Sequence, residues 1–131
     1  MPVLDTTFLV DVIRGKKSAL KKLSELEDSS VSLVTTCMNA LELYKGAHMS
    51  SNPSKNVEDV KSILELLQPV LQVNNEVCEV FGHLSAILQR HGTPIGVFDE
   101  VIASIALCYD GEIITNDSHF NEIPGLEVIG Y

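Results

Sequence analysis

The alternation of short apolar runs with helix-periodic segments constrains this chain more than any other feature. Pro2–Leu4, Val31–Thr35, Val70–Val73 and Ile113–Thr115 are short and aliphatic or β-branched, and Glu127–Ile129 is a candidate fifth run of the same kind. Between them, apolar residues recur three and four apart. Phe8, Leu9, Val12 and Ile13 form one such stripe, Leu20, Leu23 and Leu26 another, and Val57, Val60, Leu64 and Leu67 a third. Val77, Val80, Phe81, Leu84, Ile87 and Leu88 form the longest. Helices are therefore predicted over Thr6–Ile13, Ser18–Glu27, Met38–Met49, from Asn52-Pro53 onward, Glu76–His91 and Phe98–Tyr109. Gly15, Gly92 and Gly111 stand where helices should stop. Strands alternating with helices define an α/β class, with a central, mainly parallel sheet of four to five short strands flanked by helices. At 131 residues, the chain is expected to be a single domain, 1–131.

Charge narrows the function. The net charge is −9, which argues against a simple basic nucleic-acid binder, whose affinity rests on many cation–phosphate contacts. The charge is unevenly spread. Residues 1–61 hold eight bases and eight acids, whereas residues 62–131 hold ten acids and only Arg90. Five bases (Arg14, Lys16, Lys17, Lys21, Lys22) fall within one short segment. They read either as a solvated helix face or as a local phosphate-contacting patch.

The longest uncharged stretch, Ser29–Leu41, is 13 residues, too short for a membrane span of ~20. No signal peptide is expected from the N-terminal residues. Cys37, Cys78 and Cys108 are odd in number and set in apolar runs, so they are expected as buried thiols of a reducing cytoplasm. His48, His83, His91 and His119 are scattered, and are expected at helix surfaces or ends.

In a parallel sheet, ligands bind beyond the carboxyl ends of the strands. Asp5 directly follows the first predicted strand, and Asp117 lies two residues past the fourth. Glu42 lies about two turns after the second, on the following helix, and Asp99 opens the most apolar helix. Each has an ordinary alternative. Asp5 and Asp117 suit helix caps, Asp99 suits a first-turn acid, and Asn39-Ala40-Leu41-Glu42 reads as a weak capping box. Together they are harder to dismiss, because two carboxylates 4 Å apart repel by ~4 kcal/mol at an effective dielectric of 20. Clustered acids take up protons or bind a cation. Oxygen donors without supporting cysteine or histidine favour Mg²⁺ or Mn²⁺. Such an ion activates water and stabilises a phosphoryl transition state.

Four blocks of this sequence, in order, resemble the PIN-domain nucleases, and more narrowly the VapC-type toxins of toxin–antitoxin pairs. The first is Val3-Leu4-Asp5-Thr6-Thr7-Phe8-Leu9-Val10-Asp11, running to Arg14-Gly15, and the second is Leu41-Glu42-Leu43-Tyr44-Lys45-Gly46-Ala47. The third is Gly96-Val97-Phe98-Asp99-Glu100-Val101-Ile102-Ala103-Ser104. The fourth is Ile114-Thr115-Asn116-Asp117-Ser118-His119-Phe120, with Pro124-Gly125-Leu126 following. Ser104 stands where a second alanine is common, and the C-terminal half is poorer in Arg and Lys than many relatives.

The resemblance implies a PIN-like fold and a ribonuclease in which Asp5, Glu42, Asp99 and Asp117 bind Mg²⁺ or Mn²⁺. The ion would activate water for in-line attack on an RNA phosphodiester. It makes Asp5 and Asp99 the direct ligands, Glu42 a water-mediated ligand or base, and Asp117 the holder of a second ion. Thr6, Thr115 and Asn116 are expected to orient the carboxylates. Glu100 is read as solvated and Asp11 as structural. A small antitoxin carrying an apolar or Arg-bearing segment is the expected partner, and a homodimer the expected assembly.

Two alternatives within the fold remain: an RNA-processing nuclease outside a toxin–antitoxin pair, and a non-catalytic binding module. Phosphotransfer scaffolds also place an Asp after the first strand. Here, however, Asp5-Thr6-Thr7 lacks the second Asp of a haloacid-dehalogenase-type phosphatase, and no Lys follows Lys61 as a receiver domain would require.

Overall fold

A computed structural model describes residues 1–131. The chain runs β1 (Val3–Leu4), α1 (Thr6–Ile13), α2 (Lys17–Asp28), β2 (Thr35–Thr36), α3 (Cys37–Met49), α4 (Pro53–Leu66), β3 (Val70–Leu71), α5 (Asn75–Arg90), α6 (Val97–Leu107), β4 (Glu112–Ile114) and β5 (Glu127–Ile129). A short 3-10 turn, Ser118–Glu122, lies between β4 and β5 and was not foreseen in the sequence. β1 pairs with β4 and β4 with β5, while β2 pairs with β3, all in parallel. The two groups are joined by a bridge between Val3 and Val34, where Leu4 N–H donates to the Val34 carbonyl at 2.8 Å. The resulting order is β3-β2-β1-β4-β5.

The expected class and parallel sheet are therefore observed, but the strands are shorter than the apolar runs that announced them. The exposed residues Val31 and Val73, for example, lie outside any strand. The chain builds outward from β1 on one side, through β2 and β3, and then crosses to β4 and β5 on the other. The point of reversal lies between β1 and β4, the place where sheets of this kind bind ligands beyond their strand ends.

Alternation along the strands divides the core into two layers. Val3 and Ile113 face α5 and α6, packing with Leu84, Leu88, Ile102 and Ile105. Their neighbours Leu4 and Ile114 face the opposite layer, with Phe8, Leu9, Leu43 and Leu64 from α1, α3 and α4. Burying each such side chain is worth ~1.5–3 kcal/mol. Two-residue strands thus suffice to fix register, because a one-residue slip would exchange the layers. The expected central helix is α6, buried from Ile102 through Ala106.

Two details differ from expectation. The three cysteines are free, but Cys78 is exposed and Cys37 and Cys108 are only partly covered, because each sits at the edge of its apolar run. Glu100 is buried rather than solvated: it accepts the Ile95 N–H at 3.2 Å and braces the loop leading into α6.

Candidate metal-binding active site

Each acid reaches the crevice by its own local device. Asp5 follows β1 in extended conformation and is the N-cap of α1, but its side chain caps nothing. Its oxygens are turned instead toward the neighbouring strand and helix. Thr115 Oγ1, at the end of β4, donates to Asp5 Oδ2 at 2.8 Å, and Asn39 Nδ2 donates to Oδ1 at 3.1 Å. Thr7 Oγ1 lies 3.4 Å from Oδ2.

Glu42 is presented by α3, whose start is set by Thr36. That hydroxyl accepts the Asn39 N–H at 3.2 Å, while the Asn39 side-chain oxygen accepts from Thr36 N–H. The capping box is therefore Thr36–Asn39, one turn earlier than the Asn39–Glu42 pairing read from the sequence. Glu42 is left free to accept from Thr6 Oγ1 at 2.6 Å. Asp99 sits in the first turn of α6, which begins at Gly96 with φ +102, a conformation that L side chains rarely adopt. Asp117 opens the 3-10 turn and accepts the His119 N–H at 3.0 Å.

The four acids are near enough to perturb one another electrostatically. Burial pushes Asp5 above the ordinary carboxylate range, against the lowering effect of its hydrogen bonds, and Asp117 repels it further. Glu42 is raised chiefly by burial and additionally by Asp5 and Asp117. Asp99 is pushed up to about 6, first by burial and then by repulsion from Asp5, Asp117 and Glu42, with His119 opposing. Acids from β1, α3, α6 and the loop after β4 thus feel one another's charge.

The arrangement suits a divalent cation. Ligand atoms of Asp99, Asp117 and His119 lie within 4.8 Å of one another. A cation among these groups would offset the repulsion and desolvation that raise the carboxyls.

The surrounding residues divide into those anticipated and those missed. Thr6 and Thr115 each donate a hydrogen bond to a carboxylate, Glu42 and Asp5 respectively. Asn116 does not. Its amide is bound to the backbone of Tyr131, accepting from N–H at 2.9 Å and donating to the carbonyl at 3.0 Å, so it anchors the last residue instead. Asp11 is structural as expected, accepting from the Tyr131 hydroxyl at 2.6 Å and pairing with Lys16.

Asn39 was missed as a site residue. It is fully buried and donates both to Asp5 and, at 2.9 Å, to Thr6, tying β1 to α3. The Thr-x-x-Asn spacing from Thr36 was the available signal. His119 was also missed: it is exposed as expected, but Nδ1 lies 3.1 Å from Asp117 Oδ1.

Comparison with known proteins places the fold in a family. The PIN domain family matches residues 3–126. The chain is 28% identical over 127 residues to the tRNA(fMet)-specific endonuclease VapC of Salmonella typhimurium, covering 96% of this chain and 94% of that protein. It is 29% identical over 127 residues to Ribonuclease VapC1 of Haemophilus influenzae, covering 95% and 93%. Among solved structures, the DNA-bound VapBC of Salmonella typhimurium is similar at 28% identity with a TM-score of 0.85, covering 99% of this chain and 98% of that one.

Proposed function

This chain belongs to the PIN-domain family, and from that premise we propose that it is a metal-dependent ribonuclease, the toxin of a toxin–antitoxin pair. The observation that carries this reading is the proximity of acids from distant parts of the chain: ligand atoms of Asp99 and Asp117 lie within 4.8 Å of each other, and Asp5, Glu42 and Asp99 are each raised in part by neighbouring acids. Residues 1–131 act as one domain.

Asp5, Asp99 and Asp117 would hold Mg²⁺ or Mn²⁺, with Glu42 reaching the ion through water or serving as base. When bound, the ion supplies Lewis-acid stabilisation of a phosphoryl transition state and an acidified water. The chain's own residues do the positioning. Asn39 and Thr115 fix the Asp5 carboxylate, and Thr6 aims Glu42 into the crevice. The hydroxyls and amide donate rather than accept at these carboxylates, which favours the charged form that a cation needs and partly offsets the effect of burial. Holding the water and the phosphodiester in line would then be a matter of orientation, to which these hydrogen-bonded side chains contribute.

The partner is an antitoxin protein, supported by similarity to VapBC complexes and by an apolar groove of about 290 Å³. Phe8, Val12, Leu23, Leu33 and Leu66 line it, Leu66 being 82% exposed. A homodimer and a cytoplasmic location complete the reading. No helix is long and apolar enough to cross a membrane.

The test is cleavage of RNA in Mg²⁺ or Mn²⁺, with EDTA and with Asp5→Asn and Asp99→Asn. Cleavage abolished by all three is the expected result. Undiminished cleavage by both variants overturns the assignment, and metal binding with every tested RNA left intact favours a non-catalytic module.

A further inference from the structure

The fold sends the five bases of the Arg14–Lys22 segment to different surfaces. Lys16 pairs with Asp11 at 3.6 Å and lies 5.9 Å from the centre of the Tyr131 ring. Lys22 reaches Glu25 at 3.9 Å and, with Lys21, lines a pocket beside Gly130 and Tyr131. Lys17 stands exposed at the start of α2. Arg14, the C-cap of α1, is different: it lines a groove of about 160 Å³ together with Glu42, Gly46, Ser50 and Asn56. One wall of that groove is therefore a carboxylate of the acidic site.

Arg14 is exposed and takes part in no ion pair. Nor does it offset the rise at Glu42, whose causes are burial and the neighbouring acids. It is a guanidinium without an ion-pair partner, in a groove that Glu42 of the acidic group also lines. Eight residues of helix separate Thr6 from Arg14, which is ~12 Å along the axis. The groove carries polar groups beside an apolar floor of Val10, Ile13, Leu43, Ala47 and Val60. Asn56 Nδ2 donates to Ser50 Oγ at 2.7 Å, and a Cβ on Gly46 would meet nothing within 4 Å, leaving the wall open.

We propose that this groove is the track for the RNA backbone beside the acidic site, and that Arg14 is its phosphate clamp. The inference rests on the ribonuclease reading above. A substrate polyanion approaching four acids needs a fixed cation nearby, and a guanidinium grips phosphate through paired N–H donors. The remaining bases of the segment, held by acids or turned to other surfaces, contribute only to the general field.

The test titrates a fluorescent oligoribonucleotide onto Asp99→Asn protein across a series of KCl concentrations, while cleavage is followed in the parent background. Arg14→Gln is expected to weaken binding about five- to tenfold and to reduce the slope of log affinity against log salt by about 1. In the cleavage assay it raises KM with kcat held within about twofold. Lys17→Gln moves neither readout. Gly46→Leu, which fills the groove without changing charge, weakens binding and leaves the salt slope intact. An unchanged affinity and slope in folded Arg14→Gln overturns the clamp, as does an equal loss in Lys17→Gln. If the parent protein cleaves RNA in either case, the ribonuclease reading survives. A parent that neither binds nor cleaves RNA overturns that reading itself, and the clamp with it.

Discussion

The two halves of the acidic crevice are built on opposite principles. Around Asp5 and Glu42 the carboxylates are tied down: Thr115 and Asn39 donate to one, Thr6 donates to the other, and Asn39 links both through Thr6. No buried side-chain polar atom in the protein lacks a partner. Around Asp99 and Asp117 there is little such bracing. Asp117 is held within its own turn by His119, and Asp99 is surrounded mainly by repulsion and burial, which push it up to about 6. The first half is preorganised by hydrogen bonds made during folding. The second half is left under electrostatic tension that a cation relieves, so it is the half where metal binding should register most strongly.

Four measurements sharpen or break this contrast. The largest effect is expected from Asp99→Asn, which should lower metal-dependent cleavage by at least ~10²-fold and abolish the rise in Tm produced by Mn²⁺. A variant that keeps both would show that the open half does not hold the ion.

Next comes the braced half. Asn39→Leu removes two buried donations and the capping-box partner of Thr36, and should cost ~2–4 kcal/mol in urea unfolding. A loss below ~0.5 kcal/mol would mean that the hydrogen-bonded half is not structurally important.

A third, smaller effect is the pH dependence of the metal-free protein. Asp99 has its folded-state pKa raised from 3.8 to about 6, so the native state holds that proton more tightly than the unfolded chain. The associated stability is present below pH ~4 and lost as pH rises through ~6. Asp99→Asn should therefore stabilise metal-free protein at pH 7 by ~1–2 kcal/mol, after allowing for solvent screening, and change little at pH 4. Tm measured at both values in EDTA checks the sign, and equal shifts at the two pH values would contradict it.

The smallest effect is expected from Thr6→Val. It removes one part-buried hydrogen bond to Glu42 and should cost ~0.5–1.5 kcal/mol, with a modest fall in kcat. A collapse of activity as deep as that of Asp99→Asn would place Glu42, not Asp99, at the centre of the site.

The braced half also explains where reading the sequence succeeded and where it stopped. Asp5 and Asp117 were legible because each follows a strand, and strand ends define the functional edge of a parallel sheet. Thr6 and Thr115 were legible as hydroxyls beside acids. Asn39 was not, since an asparagine near a helix start has an ordinary capping explanation, and its second role depends on β1 lying alongside α3. His119 was hidden for a similar reason: its partner is nearby in sequence, but its membership of the group depends on Asp99, carried by a different element. Glu100 misled in the other direction, because adjacency to Asp99 says nothing about which side of α6 faces the loop at Ile95.

By itself, the sequence determined the class of fold, the order of its elements and the identity of the acids. Hydrophobic period and turn residues act locally, over a few positions of one segment. Only the tertiary structure decided which donors hold Asp5, that Asn116 serves Tyr131 rather than a carboxylate, and which base of the Arg14–Lys22 segment lines a groove with Glu42. Those outcomes depend on distances between residues far apart in the chain, which are set by the packing of two core layers against one sheet.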